Sequence, residues 1–176
     1  MSLIARARSV RLAVFDVDGV LTDGGLHYAG EGDFMKTFDV RDGMGMRLAR
    51  EAGISLAIIT SRKSGSVSER ATDLGISHFV QGAHDKLEAL QGLLRELGLD
   101  AGETAFLGDD LVDLPAFAVC GFAVTVADAP AVLKRHAHYV TRARGGSGAA
   151  REFCELLLHN RDALAAATAR FLPHRT

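Results

Sequence analysis

Cysteine is scarce in this chain. Only Cys120 and Cys154 occur among 176 residues, far apart and each in an apolar context. This usage favours two reduced cysteines in the core over a disulfide or a cysteine-bound metal. We assign neither residue a function.

The sequence also has no excess of charge of one sign, with 20 Lys and Arg against 22 Asp and Glu. It therefore lacks the overall basic field that favours nucleic-acid binding. No apolar run approaches the roughly 18 residues of a membrane span, and the stretch Met1 to Arg8 has no apolar core or evident cleavage site. We expect a cytoplasmic protein that binds neither nucleic acid nor a membrane.

Internal repeats, low-complexity tracts and linkers are missing as well. A hydrophobic content of 48% and a charged content of 24% over 176 residues are ordinary for one globular domain. We predict a single domain over residues 1–176, with a β-hairpin flap over 24–39 and a C-terminal helix and tail over 145–176. The turn of the hairpin is expected at residues 29–33.

What the chain does have is an alternation of short apolar runs with amphipathic stretches. The apolar runs predict strands, near residues 12–15, 54–60, 78–80, 104–107, 121–126 and 138–141. The amphipathic stretches predict helices, over residues 41–52, 67–74, 85–97, 111–118 and 149–159, with one more opened by Pro130. The alternation predicts an α/β fold, a Rossmann-like parallel sheet with helices on both faces, because right-handed β-α-β crossovers make successive strands parallel.

Two carboxylates, Asp16 and Asp18, follow the apolar run Leu12 to Phe15 directly. Ligands of open α/β sheets bind beyond the carboxyl ends of the strands, so both residues are candidates for an active site. The alternative is a simple polar turn, because Asp and Gly are common turn formers.

A second acidic cluster, Asp109, Asp110 and Asp113, follows the apolar run that ends at Leu107. Three or four acids at one sheet edge repel each other unless a cation lies between them, and oxygen ligands suit Mg²⁺. As the alternative, Asp109 and Asp110 cap the next helix through their side chains. Asp113, one turn further on, is either a surface residue or a support for the site.

These residues can be aligned with the motifs of a known family, in chain order: Asp16 to Val20, Thr60, Lys86, and Gly108 to Asp110 with Asp113. On them the chain resembles the haloacid dehalogenase-like phosphatases. It is most similar to the small members without a cap domain that act on 3-deoxy-D-manno-octulosonate (Kdo) 8-phosphate. Further matching stretches span nearly the whole chain: residues 16–24, 38–45, 108–115 and 145–152. Ser61 departs from the pattern, since relatives commonly have glycine there.

The resemblance implies a role for each residue in phosphate-ester hydrolysis. Asp16 is the nucleophile that forms an aspartyl phosphate, and Asp18 is the acid and then the base. Thr60 and Lys86 hold the transferring phosphoryl oxygens. Mg²⁺ is held by Asp16, the carbonyl of Asp18, and Asp109, while Asp110 and Asp113 support the site.

The resemblance also implies a substrate and an assembly. The substrate is a small sugar-acid phosphate of lipopolysaccharide precursor synthesis, with Ser61, Arg62 and Arg70 as substrate-binding residues. Relatives of this kind are homotetramers in which the hairpin and the C-terminal segment help to close a neighbour's site. We expect the hairpin to expose Tyr28, Phe34 and Phe38. The alternative is that the hairpin folds onto the sheet of its own subunit.

Two other functions remain open at this point. A phosphatase of the same build could act on a nine-carbon sialic-acid-type 9-phosphate. A protein with this fold could also be non-catalytic and serve as a regulator or scaffold.

Overall fold

A six-stranded parallel sheet forms the centre of the computed structural model, which describes residues 1–28 and 34–173. In chain order the strands are β1 (Leu12–Phe15), β2 (His27–Tyr28), β3 (Phe34–Met35), β4 (Ser55–Thr60), β5 (His78–Gln81), β6 (Thr104–Gly108), β7 (Phe122–Thr125) and β8 (Tyr139–Val140). The sheet has the order β5-β4-β1-β6-β7-β8, and β2 and β3 form a separate antiparallel pair. The predicted parallel α/β sheet is confirmed.

Helices connect and cover these strands. They are α1 (Leu3–Ser9), α2 (Val40–Glu51), α3 (Gly65–Leu74), α4 (Lys86–Leu97), α5 (Leu114–Phe117), α6 (Ala131–His136), α7 (Ala149–Asn160) and α8 (Leu164–Thr168). Helices α1, α2, α7 and α8 pack together in one group, and helices α4, α5 and α6 pack together in a second. Among the described residues, none of these helices has the length and apolar character needed to cross a membrane.

Three helical features differ from the sequence prediction. Helix α1, whose first turn is capped by the side chain of Ser2, and the short α8 were not predicted. The helix expected over 111–118 is divided into a 3-10 turn, Leu111–Asp113, and α5. The division occurs where the carboxylate of Asp113 turns back to accept backbone N–H groups of the preceding loop.

Strand β1 lies at the middle of the sheet and is fully buried. It pairs with β4 on one side and β6 on the other, with Phe15 opposite both Ile58 and Leu107. The ring of Phe15 meets the ring of Phe153 of α7 edge-on, with 5.5 Å between centroids. This register brings the carboxyl ends of β1, β4 and β6 to the same edge.

A buried carboxylate, Asp42 of α2, joins this helix to the start of α7. It accepts hydrogen bonds from the backbone N–H groups of Gly148 at 3.2 Å and Arg151 at 2.7 Å. Burial raises the pKa of Asp42, and these two hydrogen bonds partly oppose the rise.

The loop before α7 packs closely on the loop after β1. A Cβ at Gly145 would lie only 1.8 Å from the carbonyl oxygen of Gly19.

The hairpin is present as the β2–β3 pair, with His27 opposite Met35 and Tyr28 opposite Phe34. Its predicted turn, 29–33, and the side chain of Phe34 lie outside the described part of the chain. Tyr28 is 69% exposed, as expected. The expectation that Phe38 is exposed is wrong, because its ring packs against the hydrophobic core beneath the guanidinium of Arg70.

Candidate active site

The loops that follow β1, β4 and β6 surround a cleft of about 320 Å³. Its lining residues are Asp16, Asp18, Gly24, Thr60, Ser61, Arg62, Lys86, Asp109, Asp110 and Val112. The structure therefore brings together nearly all of the site residues predicted from the sequence. Val112 was not predicted and is the one large apolar residue in this lining.

Lys86, the first residue of α4, lies at the bottom of this arrangement, where its side chain is 1% exposed. Its Nζ is 2.8 Å from Oδ2 of Asp16 and 2.6 Å from Oδ1 of Asp113. Burial alone would lower the pKa of Lys86, but the two carboxylates outweigh it and raise the pKa. The ammonium is therefore held in its charged form beside Asp16.

Asp113 is fully buried and uses both of its carboxylate oxygens within the protein. Besides the ion pair of Oδ1 with Lys86, Oδ2 accepts the backbone N–H groups of Asp109 at 2.9 Å and Asp110 at 3.2 Å. Gly108 is needed for this approach, since a Cβ there would lie 2.5 Å from Cγ of Asp113. Asp113 thus orients both the lysine and the loop that carries Asp109.

Carboxylate oxygens of Asp16, Asp109 and Asp113 lie within 4.8 Å of one another. Burial raises the pKa of Asp16 to about 6 although Lys86 opposes the rise. Burial, with the charges of Asp16 and Asp113, raises the pKa of Asp109 to about 8. Because the donors are all oxygens and repel one another, the cluster fits a hard divalent cation such as Mg²⁺.

The carboxylates of this cluster differ in how many of their oxygens are already hydrogen-bonded within the protein. The oxygens of Asp113 are already paired, so Asp16 and Asp109 are the side chains suited to bind the cation directly. Asp110 is exposed, and its Oδ1 accepts the N–H of Leu111 at 2.7 Å. The capping alternative thus holds for Asp110.

Asp18 lies apart from this acidic cluster and contacts two cations instead. Its Oδ1 forms an ion pair with Lys36, and its Oδ2 is 3.8 Å from Nε of Arg62. Lys36 follows β3 of the hairpin and was missed in the sequence, because nothing in its local pattern indicates a contact with a residue 18 positions earlier. The Asp18 side chain is therefore separate from the acidic cluster, and a metal contact through its carbonyl stays a prediction.

The residues after β4 are held in place by the neighbouring strand β5. The carbonyl of Thr60 accepts the N–H of Ala83 at 3.0 Å, and the side chain of Gln81 accepts the N–H of Ser64 at 2.7 Å. Thr60 is buried, whereas the side chain of Arg62 is 49% exposed and available to a ligand.

Two predicted site residues do not line the cleft, the buried Asp113 beneath it and Arg70, which lies further away. The guanidinium of Arg70 lies 5.6 Å from the ring centroid of Phe38 and donates a hydrogen bond to the carbonyl of Asp39 at 3.1 Å. It therefore contacts the base of the hairpin. Its role in substrate binding stays a prediction.

Comparison with known proteins agrees with this geometry. Residues 78–153 match the family model of the haloacid dehalogenase-like hydrolases. The 3-deoxy-D-manno-octulosonate 8-phosphate phosphatase of Yersinia pestis is 46% identical over 94% of this chain and 89% of its own length. The crystal structure of the Moraxella catarrhalis phosphatase of the same name, in complex with magnesium, phosphate and KDO, is 43% identical. It has a TM-score of 0.93 and covers 96% of this chain and 97% of that one.

The two neighbouring acids Asp113 and Asp110 are expected to differ in their effect on stability. Asp113→Ala should lower the free energy of unfolding by about 3 kcal/mol or more, because it removes one partner of a buried ion pair. Asp110→Ala removes an exposed cap and should cost about 1 kcal/mol. Urea unfolding of both variants measures the difference, and equal losses would contradict the supporting role of Asp113.

Proposed function

Because this chain belongs to the 3-deoxy-D-manno-octulosonate 8-phosphate phosphatase family of haloacid dehalogenase-like hydrolases, we propose that it hydrolyses that sugar-acid phosphate. The products are Kdo and inorganic phosphate, and the reaction depends on Mg²⁺. The observation that carries the proposal is the buried Lys86 beside Asp16 and the acidic cluster, in a chain so similar to these phosphatases.

In the proposed reaction Asp16 attacks the phosphorus atom. One of its carboxylate oxygens forms the new bond, the bond from phosphorus to the sugar oxygen breaks, and the chain is left with an aspartyl phosphate. Lys86 keeps Asp16 oriented at 2.8 Å and, with the Thr60 hydroxyl at the end of β4, holds the phosphoryl oxygens. When bound at Asp16, Asp109 and the carbonyl of Asp18, Mg²⁺ supplies charge that offsets the repulsion between the carboxylates and the phosphate.

Asp18 is the proton donor in the first step and the proton acceptor in the second. It gives a proton to the sugar oxygen as the ester bond breaks, and then takes one from the water that attacks the aspartyl phosphate. Its side chain is 22% exposed, whereas that of Asp16 is 7% exposed. These different surroundings suit two aspartates with different tasks.

Selection of the sugar acid requires groups beyond the phosphoryl site. Ser61 and Arg62 line the cleft and can contact the substrate. Arg70 is the proposed partner of the substrate carboxylate, because a guanidinium binds a carboxylate through two parallel hydrogen bonds. The names of the relatives favour the eight-carbon substrate over a nine-carbon one, and the complete set of reactive groups in one cleft disfavours a non-catalytic protein.

We further propose that the chain acts as a homotetramer in the cytoplasm, with the hairpin and the C-terminal segment closing neighbouring sites. The support is the exposed apolar surface of the hairpin, where Tyr28 is 69% and Met35 is 64% exposed. An isolated two-stranded ribbon is marginally stable without a covering surface.

The two aspartates should fail in different ways. Asp16→Asn should show no turnover and no trapped phosphoenzyme, because the nucleophile is lost. Asp18→Asn should bind Mg²⁺ normally but turn over about 10² to 10⁴-fold more slowly, because it lacks a proton donor and acceptor. Phosphate release, acid-quench trapping and calorimetric Mg²⁺ titration measure these effects, with the exposed Asp73→Asn as the control. A phosphoenzyme on the Asp16 variant would rule out Asp16 as nucleophile.

Arg70→Ala should lower kcat/KM for Kdo 8-phosphate by about ten- to a hundredfold. It should leave p-nitrophenyl phosphate, which has no carboxylate, almost unaffected. Arg47→Ala of α2 replaces an exposed arginine and serves as the control. The same assays give the ratio of kcat/KM for the eight- and nine-carbon substrates. Because Arg70 also holds the base of the hairpin, equal losses on both substrates would show a structural role instead.

Replacing both Tyr28 and Met35 by Ser should weaken the assembly. The change removes exposed apolar area from both faces of the hairpin, worth on the order of 2 kcal/mol for each side chain where it is buried between subunits. Sedimentation velocity over a range of concentrations checks it. A wild-type monomer, or a variant that stays tetrameric, would show that the hairpin serves only its own subunit.

A further inference from the structure

Lys36 makes a contact that the reaction described above does not use. Its side chain is 2% exposed, and its Nζ pairs with Oδ1 of Asp18. It is not among the described residues that line the cleft. The lysine is therefore a buried partner of a cleft residue and is not itself part of the described cleft lining.

This ion pair leaves the two oxygens of Asp18 in different surroundings. Oδ1 is engaged by Lys36, whereas Oδ2 is 3.8 Å from Nε of Arg62, a residue that does line the cleft. Oδ2 is therefore the oxygen nearer to a side chain of the cleft lining. A carboxylate with one oxygen held has fewer orientations available than a free side chain on the same backbone.

Burial makes the pairing a requirement for the lysine. An ammonium removed from water carries a large desolvation cost unless it is paired, and Asp18 is the ion-pair partner that the described residues provide. A lysine in this position is thus unlike an ordinary solvated surface lysine such as Lys63, which is exposed.

Both ends of the hairpin are anchored close to the site. Gly24, where the hairpin leaves, lines the cleft, and its N–H donates to Oγ1 of Thr22 at 3.2 Å. Asp39, where the hairpin returns, caps α2 by accepting the N–H of Arg41 at 2.7 Å. Lys36 lies only three residues before this cap. Lys36 is therefore close in the chain to a residue that is fixed at the start of α2.

We propose that Lys36 is a positioning residue for Asp18, an inference that rests on the proposed phosphatase reaction. By holding Oδ1, the ammonium directs Oδ2 into the cleft. When Oδ2 carries a proton, Oδ1 still accepts a hydrogen bond from the ammonium, and Oδ2 gives that proton to the sugar oxygen in the first step. The ion pair that is left then accepts a proton at Oδ2 from the attacking water in the second step. The lysine itself touches neither the substrate nor the phosphoryl group.

Lys36→Met tests this assignment, since methionine keeps the length of the side chain and removes its charge. We expect kcat for Kdo 8-phosphate to fall about tenfold or more, because proton transfer contributes 10² to 10⁴-fold, while KM stays nearly constant. With p-nitrophenyl phosphate, whose leaving group departs without a proton, the first step should persist and the attack of water should slow. The variant should then release a burst of about one p-nitrophenolate per chain and accumulate phosphoenzyme.

Two further variants make the experiment specific. Lys36→Arg restores the charge and should recover much of the lost kcat, and Lys63→Met removes an exposed lysine near the cleft and should match the wild type. Thermal unfolding and its shift on adding Mg²⁺ verify that each variant is folded. Where Lys36→Met does not fold, Lys36→Gln takes its place with the same expected loss of kcat.

The other outcomes are distinct. Wild-type kinetics in the folded Met or Gln variant would overturn the proposal, and so would a raised KM with unchanged kcat, which would mean that Lys36 binds substrate directly. A failure of the reaction itself would appear in the wild type, as phosphate release that is absent or independent of Mg²⁺. The wild-type assay therefore tests the proposed function, and the variant kinetics test the role of Lys36.

Discussion

The buried ammonium of Lys86 is the interaction on which the site depends. It lies between carboxylates of Asp16 and Asp113, at 2.8 and 2.6 Å, with almost no contact with water. The three residues come from the end of β1, the start of α4 and the turn after β6, so the ion group forms only when the sheet and both crossovers are in place. Because an unpaired charge there would be costly, the fold and the orientation of Asp16 are coupled.

The negative charge of the cluster exceeds what one lysine can offset. Asp109 lies against Gly19, where a Cβ would come within 2.0 Å of Oδ2 of Asp109, so the Asp-Gly sequence after β1 makes room for the second acid. Burial is the main cause of the raised pKa of Asp109, and the charges of Asp16 and Asp113 add this crowding to it. A cation at Asp16 and Asp109 relieves it, so the same repulsion that weakens the metal-free arrangement favours metal binding.

Much of this organisation can be predicted from local sequence pattern. The strands are short apolar runs, and the topology of parallel sheets places Asp16, Thr60 and Asp109 at one edge. The contacts of Lys36 and Arg70 could not be predicted in this way, because apolar periodicity does not indicate tertiary partners. Lys36, after β3 of the hairpin, meets Asp18, and Arg70 of α3 meets Phe38, which precedes α2. Phe38 was expected to be exposed because it falls within the predicted hairpin over residues 24–39. The sequence pattern gives no signal of what covers its ring.

The two lysines divide the site between its two aspartates. Lys86 approaches Asp16 from the bottom of the cleft, on rigid secondary structure, whereas Lys36 approaches Asp18 from a short hairpin that continues into exposed residues. A nucleophile must be held at a set distance from phosphorus in every turnover, which suits the rigid helix start. In the proposed reaction Asp18 serves a sugar oxygen and then a water molecule, and the hairpin next to Lys36 also carries exposed apolar residues. In the proposed reaction, Asp16 is thus oriented by Lys86 at the start of α4, and Asp18 by Lys36 beside the hairpin.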